Sequence, residues 1–236
     1  MPTATLTDVV YPSRDGKLMA DNTKQFRWIV TIEGGLEAVF DSDPNAFIAG
    51  DLPWYPVEGM PEICTAPDIF VALGRPKGDR KSYRQWAEGN VAPQVTFEIL
   101  SESNDYIEMR DKEVFYEEHG VEEYYVYDTY RNKLKGFVRE GAIFRRVPQM
   151  NGWISPLLKI RFEHGDELKI YGPDGRPFLT YVQLVAERNL QKLRAEQEKQ
   201  RAEQEKQRAE QAERHNLELI ELLRSNGIAI DRGSTG

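Results

Sequence analysis

Cysteine is nearly absent: the 236-residue chain has one, Cys64. No disulfide can close within it, and no cysteine-based zinc site can be built. Histidine is almost as scarce. The three present, His119, His164 and His215, match no metal-ligand spacing and no recognisable spacing to Cys64, which sets aside a cysteine hydrolase. No apolar run approaches the ~20 residues of a membrane-spanning helix, and the opening MPTATLTDVV lacks the charged and apolar regions of a signal peptide. The expectation is a cytoplasmic protein with no membrane partner. Positive charge is in deficit as well, with 31 Lys and Arg against 39 Asp and Glu and a net charge of -8. That excludes a protein that coats nucleic acid non-specifically, while leaving room for a local basic patch.

Hydrophobic residues make up 40% of the chain and aromatics 11%, enough for a substantial core. Residues 94–100 (QVTFEIL) are the centre of the pattern. Val95, Phe97 and Ile99 alternate with Thr96, Glu98 and Leu100, the period of a strand, and the β-branched and aromatic content agrees. Residues 67–73 (PDIFVAL) have the same character, with Asp68 at the start. Strands this apolar sit inside a sheet covered on both faces, where an ionised carboxylate is costly unless it meets a cation or a donor. Two such carboxylates suggest a metal site. Glu98 also fits the wet face of a half-exposed strand, and Asp68 also fits turn chemistry after Pro67.

Around these strands, residues 1–21 read as an irregular arm. Asn22 or Thr23 caps a helix in which Phe26, Ile29 and Val30 share a face, and Leu36, Val39 and Phe40 continue it past a weak point at Gly34 and Gly35. Residues 46–56 hold a short strand followed by DLPWYP. Residues 74–86 (GRPKGDRKSYRQW) set Arg75, Lys77, Arg80, Lys81 and Arg84 against Asp79, with Tyr83 and Trp86 interleaved. Such a loop either holds phosphates and stacks a base or is simply solvated. It does not meet the phosphate-loop pattern of nucleotide triphosphatases. A helix is expected over about 105–119, with Asp105 and Glu108 as a capping box and Gly120 as its stop. Lys112 shares a face with Phe115 and Tyr116, pointing to the sheet, or it pairs with Glu108 in solvent. Strands are expected over 123–128, 134–139, 143–147, 157–162 and 167–171. The result is a mixed α/β (α+β) domain over 22–180.

From residue 181 the composition changes. Residues 181–225 read as one long polar helix with no Gly or Pro, repeating RAEQEKQ from Arg194 and Arg201. Ala195, Ala202 and Ala209 recur every heptad without a pair of large apolar seams, so the helix is a spacer or a weak coiled coil anchored at its leucine-bearing ends. Pairs such as Glu198 with Arg201 and Glu205 with Arg208 are expected to support it by about 0.2 to 0.5 kcal/mol each. The tail, 226–236, is expected to be disordered.

Three segments, PDIFVALGRPKGDR, APQVTFEILS and MRDKEVFYEEHGVEEYYVYD, resemble the Uma-type restriction-endonuclease family, abundant in cyanobacteria and part of the PD-(D/E)XK nuclease superfamily. The likeness spans roughly residues 20–180, and the tail with its AEQ repeats and closing LLRSNGIAID is similar to tails that cyanobacterial members carry. The resemblance implies a central mixed sheet flanked by helices and a site of two acidic residues and a lysine around Mg²⁺ or Mn²⁺. By position, Asp68 and Glu98 are the acidic pair and the backbone carbonyl of Ile99 is a further ligand. Leu100 stands where the superfamily has its lysine, and Lys112 matches the lysine that Uma-type members carry on the next helix. Glu33 or Glu37 is a candidate fourth acidic residue. The implied activity is Mg-dependent hydrolysis of DNA, with Arg75, Lys77, Arg80, Lys81 and Arg84 holding the backbone, and a homodimer is the expected assembly because duplex cleavage presents two related strands. The alternative is a catalytically inactive nucleic-acid or protein-binding module assembling through the C-terminal helix.

Overall fold

Asn22 starts the first helix by accepting hydrogen bonds from the backbone N–H groups of Lys24 and Gln25 through its side-chain oxygen. The computed structural model describes residues 9–14, 16, 19–102 and 106–226. The expected cap at Asp105 and the tail beyond Asn226 lie outside the described residues. The helix, α1 (Thr23–Val39), runs unbroken through Gly34 and Gly35. Its buried stripe is Gln25, Ile29, Ile32 and Leu36, at four- and three-residue spacings. Phe26 and Val30, expected to share the core face with Ile29, are instead 48% and 45% exposed. They sit about 100° round the helix from the stripe that Gln25 heads. Gln25 faces inward because a strand carbonyl there needs a donor.

The chain divides into two compact units at Thr180. In the first, β1 (Ala46–Gly50), β3 (Ile69–Leu73), β5 (Val95–Leu100), β6 (Glu123–Asp128), β7 (Lys133–Glu140) and β8 (Ile143–Arg146) form one sheet in the order β1-β3-β5-β6-β7-β8. Between β1 and β3 lies the short β2 (Trp54–Tyr55), paired in parallel with β4 (Tyr83–Arg84). Within the large sheet only β5 and β6 run parallel, and α2 (Tyr106–Glu118) makes the crossover such a pair requires. Alternation splits the core. Ile69, Val71, Val95, Phe97 and Ile99 pack with Ile29, Ile32 and Leu36 of α1. Phe70 and Ala72 face the other way, with Tyr116, Tyr124 and Val126.

The strand expected over 157–162 is shorter, and β9 (Arg161–His164) pairs only with β10 (Leu168–Tyr171). Residues 155–160 form a turn, with Lys159 in the left-handed region at φ 58° and its N–H bonded to the carbonyl of Ser155. Leu158 and Ile160 are still buried, so the apolar run that read as strand serves as core without a ladder. Glu123 holds this turn. Its buried carboxylate accepts from the Leu157 N–H at 2.6 Å, the Tyr125 hydroxyl at 2.8 Å and the Ser155 hydroxyl. Burial raises its pKa above the ordinary value even against these three donors.

The second unit contains α3 (Tyr181–Ser225), 45 residues with none buried. The expected pairs Glu198–Arg201 and Glu205–Arg208 are not formed within it, while Lys206 and Glu210 approach to 4.0 Å. Fully solvated pairs of this kind have too little net attraction to hold long side chains in one geometry. No described helix is long and apolar enough to cross a membrane.

The two glycines of α1 make opposite predictions. A methyl at exposed Gly34 meets nothing, whereas one at Gly35 falls inside contact distance of the Phe178 ring. Gly34→Ala is expected to raise stability by about 0.5–1 kcal/mol, and Gly35→Ala to lower it by about 1–3 kcal/mol through overpacking. Urea unfolding of the two variants checks both signs.

Candidate active site

Register alone brings the two carboxylates together. Ile69 lies opposite Phe97 in the β3–β5 ladder, so the next step of the antiparallel register sets Asp68 beside Glu98 on the α2 face. Asp68 stands just before β3, where its carboxylate replaces the missing ladder partner: Oδ2 accepts from the Ile99 N–H at 2.6 Å. Burial, followed by the charge of Glu98, pushes the Asp68 carboxyl well above the usual range, against smaller lowering effects from Lys112 and the Ile99 N–H. Asp51, which sequence reasoning missed, adds to the rise. It follows β1 in a left-handed conformation (φ 49°), with its N–H bonded to the Asp68 carbonyl at 3.2 Å. Its signal in the sequence was only a turn-type DLP after a strand.

Glu98 is 2% exposed in the middle of β5, and α2 supplies both its partners. Lys112 Nζ lies 2.7 Å from Oε2 and donates also to the carbonyl of Ala66 at 3.2 Å. Tyr116 donates its hydroxyl to Oε1. Of the two readings of Lys112, the structure takes the one facing the sheet. Burial by itself pulls the Lys112 ammonium down, but Glu98 and Asp68 outweigh it and the net shift is upward. Lys112 is therefore a cation at neutral pH. The Tyr116 ring is fixed by stacking on Trp54 at 6.4 Å and an edge contact to Tyr124 at 5.1 Å. Burial and the adjacent Glu98 raise its hydroxyl well above the ordinary value, so it stays a donor.

The carbonyl of Ile99 points to the same side of β5 as its N–H, toward Asp68, and there it meets Gln25. The Gln25 amide donates to Ile99 O at 2.7 Å and accepts the Asp21 N–H at 2.8 Å. Reversing the amide would face N–H to N–H and C=O to C=O, so these two bonds fix its orientation. Ser101 Oγ in turn bonds Asp21 Oδ2 at 2.6 Å. Gln25 is the second residue the sequence did not reveal, since a neutral amide on a helix carries no pattern of its own. Glu33 reaches the same end of the sheet, its carboxyl beside Gly50 and near the Asp68 carbonyl, and burial followed by Glu37 raises its pKa. Glu37 itself turns to Lys77 at 3.3 Å.

The basic loop is less free than its composition implies. Arg80 makes two hydrogen bonds to Glu88, at 2.7 and 3.2 Å, and lies over the Phe47 ring at 3.9 Å. Arg75 approaches the same glutamate at 3.5 Å, Lys77 is held by Glu37, and Arg84 covers Tyr11 at 4.8 Å. Tyr83 is fully buried and bonded to the Val91 carbonyl, and Trp86 packs on Tyr11, so neither ring is presented as a platform for a base. Lys81 is exposed and makes no ion pair among the described residues. Counting charges inside the segment overlooked Glu88 and Glu37, which lie outside it.

The donor set brought together is two carboxylates and one carbonyl, all hard oxygens, which fits Mg²⁺ or Mn²⁺. Among the described residues no group of three or more His, Cys, Asp or Glu side chains could hold a metal ion, so the carbonyl would be needed as a ligand. A cleft of about 460 Å³ is lined by Lys112 together with Glu108, Asp111, Thr65, Ile107 and Phe115.

A family model, Uma2, described as "Putative restriction endonuclease", matches residues 18–163. The chain belongs to this family. The match takes in every site residue above and ends before β10 and α3. The fold is accordingly the restriction-endonuclease-like mixed sheet flanked by helices. A crystal structure of a "putative nuclease belonging to DUF820" from Anabaena variabilis ATCC 29413 is similar at a TM-score of 0.43 and 14% identity, over 58% of this chain and 73% of that one. No curated protein matches the chain.

The Glu98–Lys112 pair predicts non-additive stability. With EDTA present, Lys112→Met is expected to cost about 3 kcal/mol by leaving a buried carboxylate without its cation. Adding Glu98→Gln is expected to recover part of that loss, because no charge is then left unpaired. Urea unfolding of both single variants and the double variant measures the coupling.

Proposed function

We propose that this Uma2 protein is a divalent-cation-dependent endonuclease that hydrolyses DNA phosphodiester bonds. One observation carries the reading: the register sets Asp68, just before β3, beside Glu98 of β5, with the Ile99 N–H 2.6 Å from Asp68 and the Lys112 ammonium 2.7 Å from Glu98. Asp68, Glu98 and Ile99 O are the groups that would hold the cation. When bound, such a cation neutralises the scissile phosphate and makes a water nucleophilic near neutral pH. Lys112, held protonated by its two acidic neighbours, is unsuited to be a base. Its role is to donate to a phosphate oxygen and stabilise charge as it develops there. Tyr116 fixes the Glu98 carboxylate so that it need not reorganise. The acidic residues lining the cleft, Glu108 and Asp111, repel a bare phosphate, which favours a reading in which a cation accompanies the substrate. Lys81 and Arg84 are the exposed cations left to contact the backbone beyond the scissile bond.

A second reading has its own support. Lys112 and Tyr116 occupy both Glu98 oxygens, and Gln25 occupies the Ile99 carbonyl, which is the arrangement of a self-satisfied site in a binding module. Supercoiled plasmid separates the two. With Mg²⁺ or Mn²⁺ at low salt, the intact chain is expected to nick, and Asp68→Ala and Glu98→Ala to lose at least ~100-fold in rate, with Lys112→Ala losing a similar amount. No nicking by the intact chain, together with no cation binding by calorimetry, would select the binding module.

The elevated Asp68 pKa gives a signed pH dependence. A cation must displace the proton that burial and Glu98 favour on Asp68, so affinity rises with pH until Asp68 is ionised. Calorimetry of Mn²⁺ binding in two buffers of different ionisation enthalpy is expected to show proton release that falls as pH rises, within about one proton per site. Asp68→Asn is expected to abolish it.

A further inference from the structure

The heptads of α3 leave a stripe that the leucines only begin. In the repeat RAEQEKQ the uncharged positions are one alanine and two glutamines, and only the glutamines follow three- and four-residue spacing: Gln197, Gln200, Gln204, Gln207 and Gln211. Leu190 and Leu193 precede them in phase. Written as a heptad, Leu190, Gln197, Gln204 and Gln211 take position a, and Leu193, Gln200 and Gln207 position d. The flanks are then sorted by sign. Position g is Glu196, Glu203 and Glu210, and position e is Arg194, Arg201 and Arg208. Within the isolated helix these groups are mostly unmatched. Gln207 donates to Glu203 at 3.2 Å and Lys206 approaches Glu210, while Arg194, Glu196, Arg201 and Arg208 make no ion pair among the described residues.

We propose that α3 is the interface of a parallel two-stranded homodimer with a glutamine seam. A second copy is the occupant because the stripe complements itself. Each Gln amide has both an N–H₂ and a C=O, so identical residues facing across a two-fold axis satisfy one another. Charge sets the direction. In a parallel pair, g of one helix faces e five residues further along the other, which puts Glu196 opposite Arg201 and Glu203 opposite Arg208, twice over by symmetry. In an antiparallel pair, g faces g and e faces e, which puts Glu against Glu and Arg against Arg in any register. Leu190 and Leu193 set the stagger, since a slip of one heptad would lay leucine against glutamine. A polar seam holds less tightly than a leucine one, so the dimer dissociates on dilution. Parallel pairing attaches both copies of the first unit at the same end of the pair, through Thr180. The inference uses α3 alone and stands whether or not Asp68 and Glu98 support hydrolysis.

Sedimentation equilibrium of the full chain tests it. Across roughly 1 to 300 µM the mass is expected to rise from one chain of 27.2 kDa toward twice that value. Glu196→Arg with Glu203→Arg sets Arg against Arg in the parallel pair and is expected to weaken association at least about tenfold. Adding Arg201→Glu and Arg208→Glu exchanges the signs and is expected to restore it. In a Cys64→Ser background, Leu193→Cys treated with copper phenanthroline as oxidant is expected to cross-link to its own counterpart, which only a parallel, in-register pair allows. A chain that stays monomeric at the highest concentration, a dimer indifferent to the charge reversal, or a Leu193→Cys variant that does not cross-link would each overturn the proposal.

Discussion

A carboxylate in the middle of a central strand, covered on both faces, has to be compensated by the protein around it. Glu98 is that constraint here, and much of the first unit is arranged to meet it. Its neighbours in the strand are apolar and face α1, so its compensation can come only from the other layer. There α2 supplies an ammonium and a phenol one helical turn apart, at Lys112 and Tyr116, and their spacing of four residues lets both reach the same carboxylate. The β5–α2–β6 crossover is what puts that helix over that strand. Removing the charge of either partner leaves the other buried and unmatched, so the pair is held together by the cost of separating it more than by its own attraction.

Much of this was legible from residue order. Alternation in 94–100 and 67–73 identifies both strands and, once they are antiparallel neighbours, fixes Asp68 and Glu98 on one face without any reference to side-chain detail. The helical spacing of Lys112, Phe115 and Tyr116 identifies one face of α2, but periodicity cannot say whether that face meets Glu108 and solvent or Glu98 and the sheet. What was not legible depended on partners distant in sequence. Gln25 is inward because Ile99, 74 residues later, has a carbonyl to satisfy, and Phe26 and Val30 are outward as a consequence. Arg75 and Arg80 look like free cations until Glu88 folds back on them. Residues 157–160 carry the apolar content of a strand, yet Lys159 turns left-handed and Glu123 ties the segment down as a turn.

Glu123 and Glu98 are instructive side by side. Both are almost inaccessible glutamates on adjacent parallel strands. Glu123 is met by neutral donors, two hydroxyls and a backbone N–H, and these serve to close a turn. Glu98 is met by a cation, Lys112, that itself lines a cleft, and it lies next to a second carboxylate. Burial of an acid is therefore not the discriminating sign of a site. Two buried carboxylates set side by side are a better one, and Asp68 and Glu98 are such a pair.

That surplus of negative charge constrains how the proposed chemistry can work. Burial and Glu98 favour a proton on Asp68, Lys112 and Tyr116 meet Glu98, and Gln25 meets the Ile99 carbonyl, so the chain's own groups offset much of the surplus. A cation held by Asp68, Glu98 and the Ile99 carbonyl would compete with that proton and with the existing hydrogen bonds, which would offset much of its attraction to the two carboxylates. A phosphodiester would shift that balance, because its negative charge would attract the cation and give Lys112 a second acceptor. On the proposed function, cation and nucleic acid would therefore bind with positive coupling, each improving the site for the other. The acidic character of the protein is then compatible with a phosphate substrate, since the positive charge that recognises the scissile group would enter together with it.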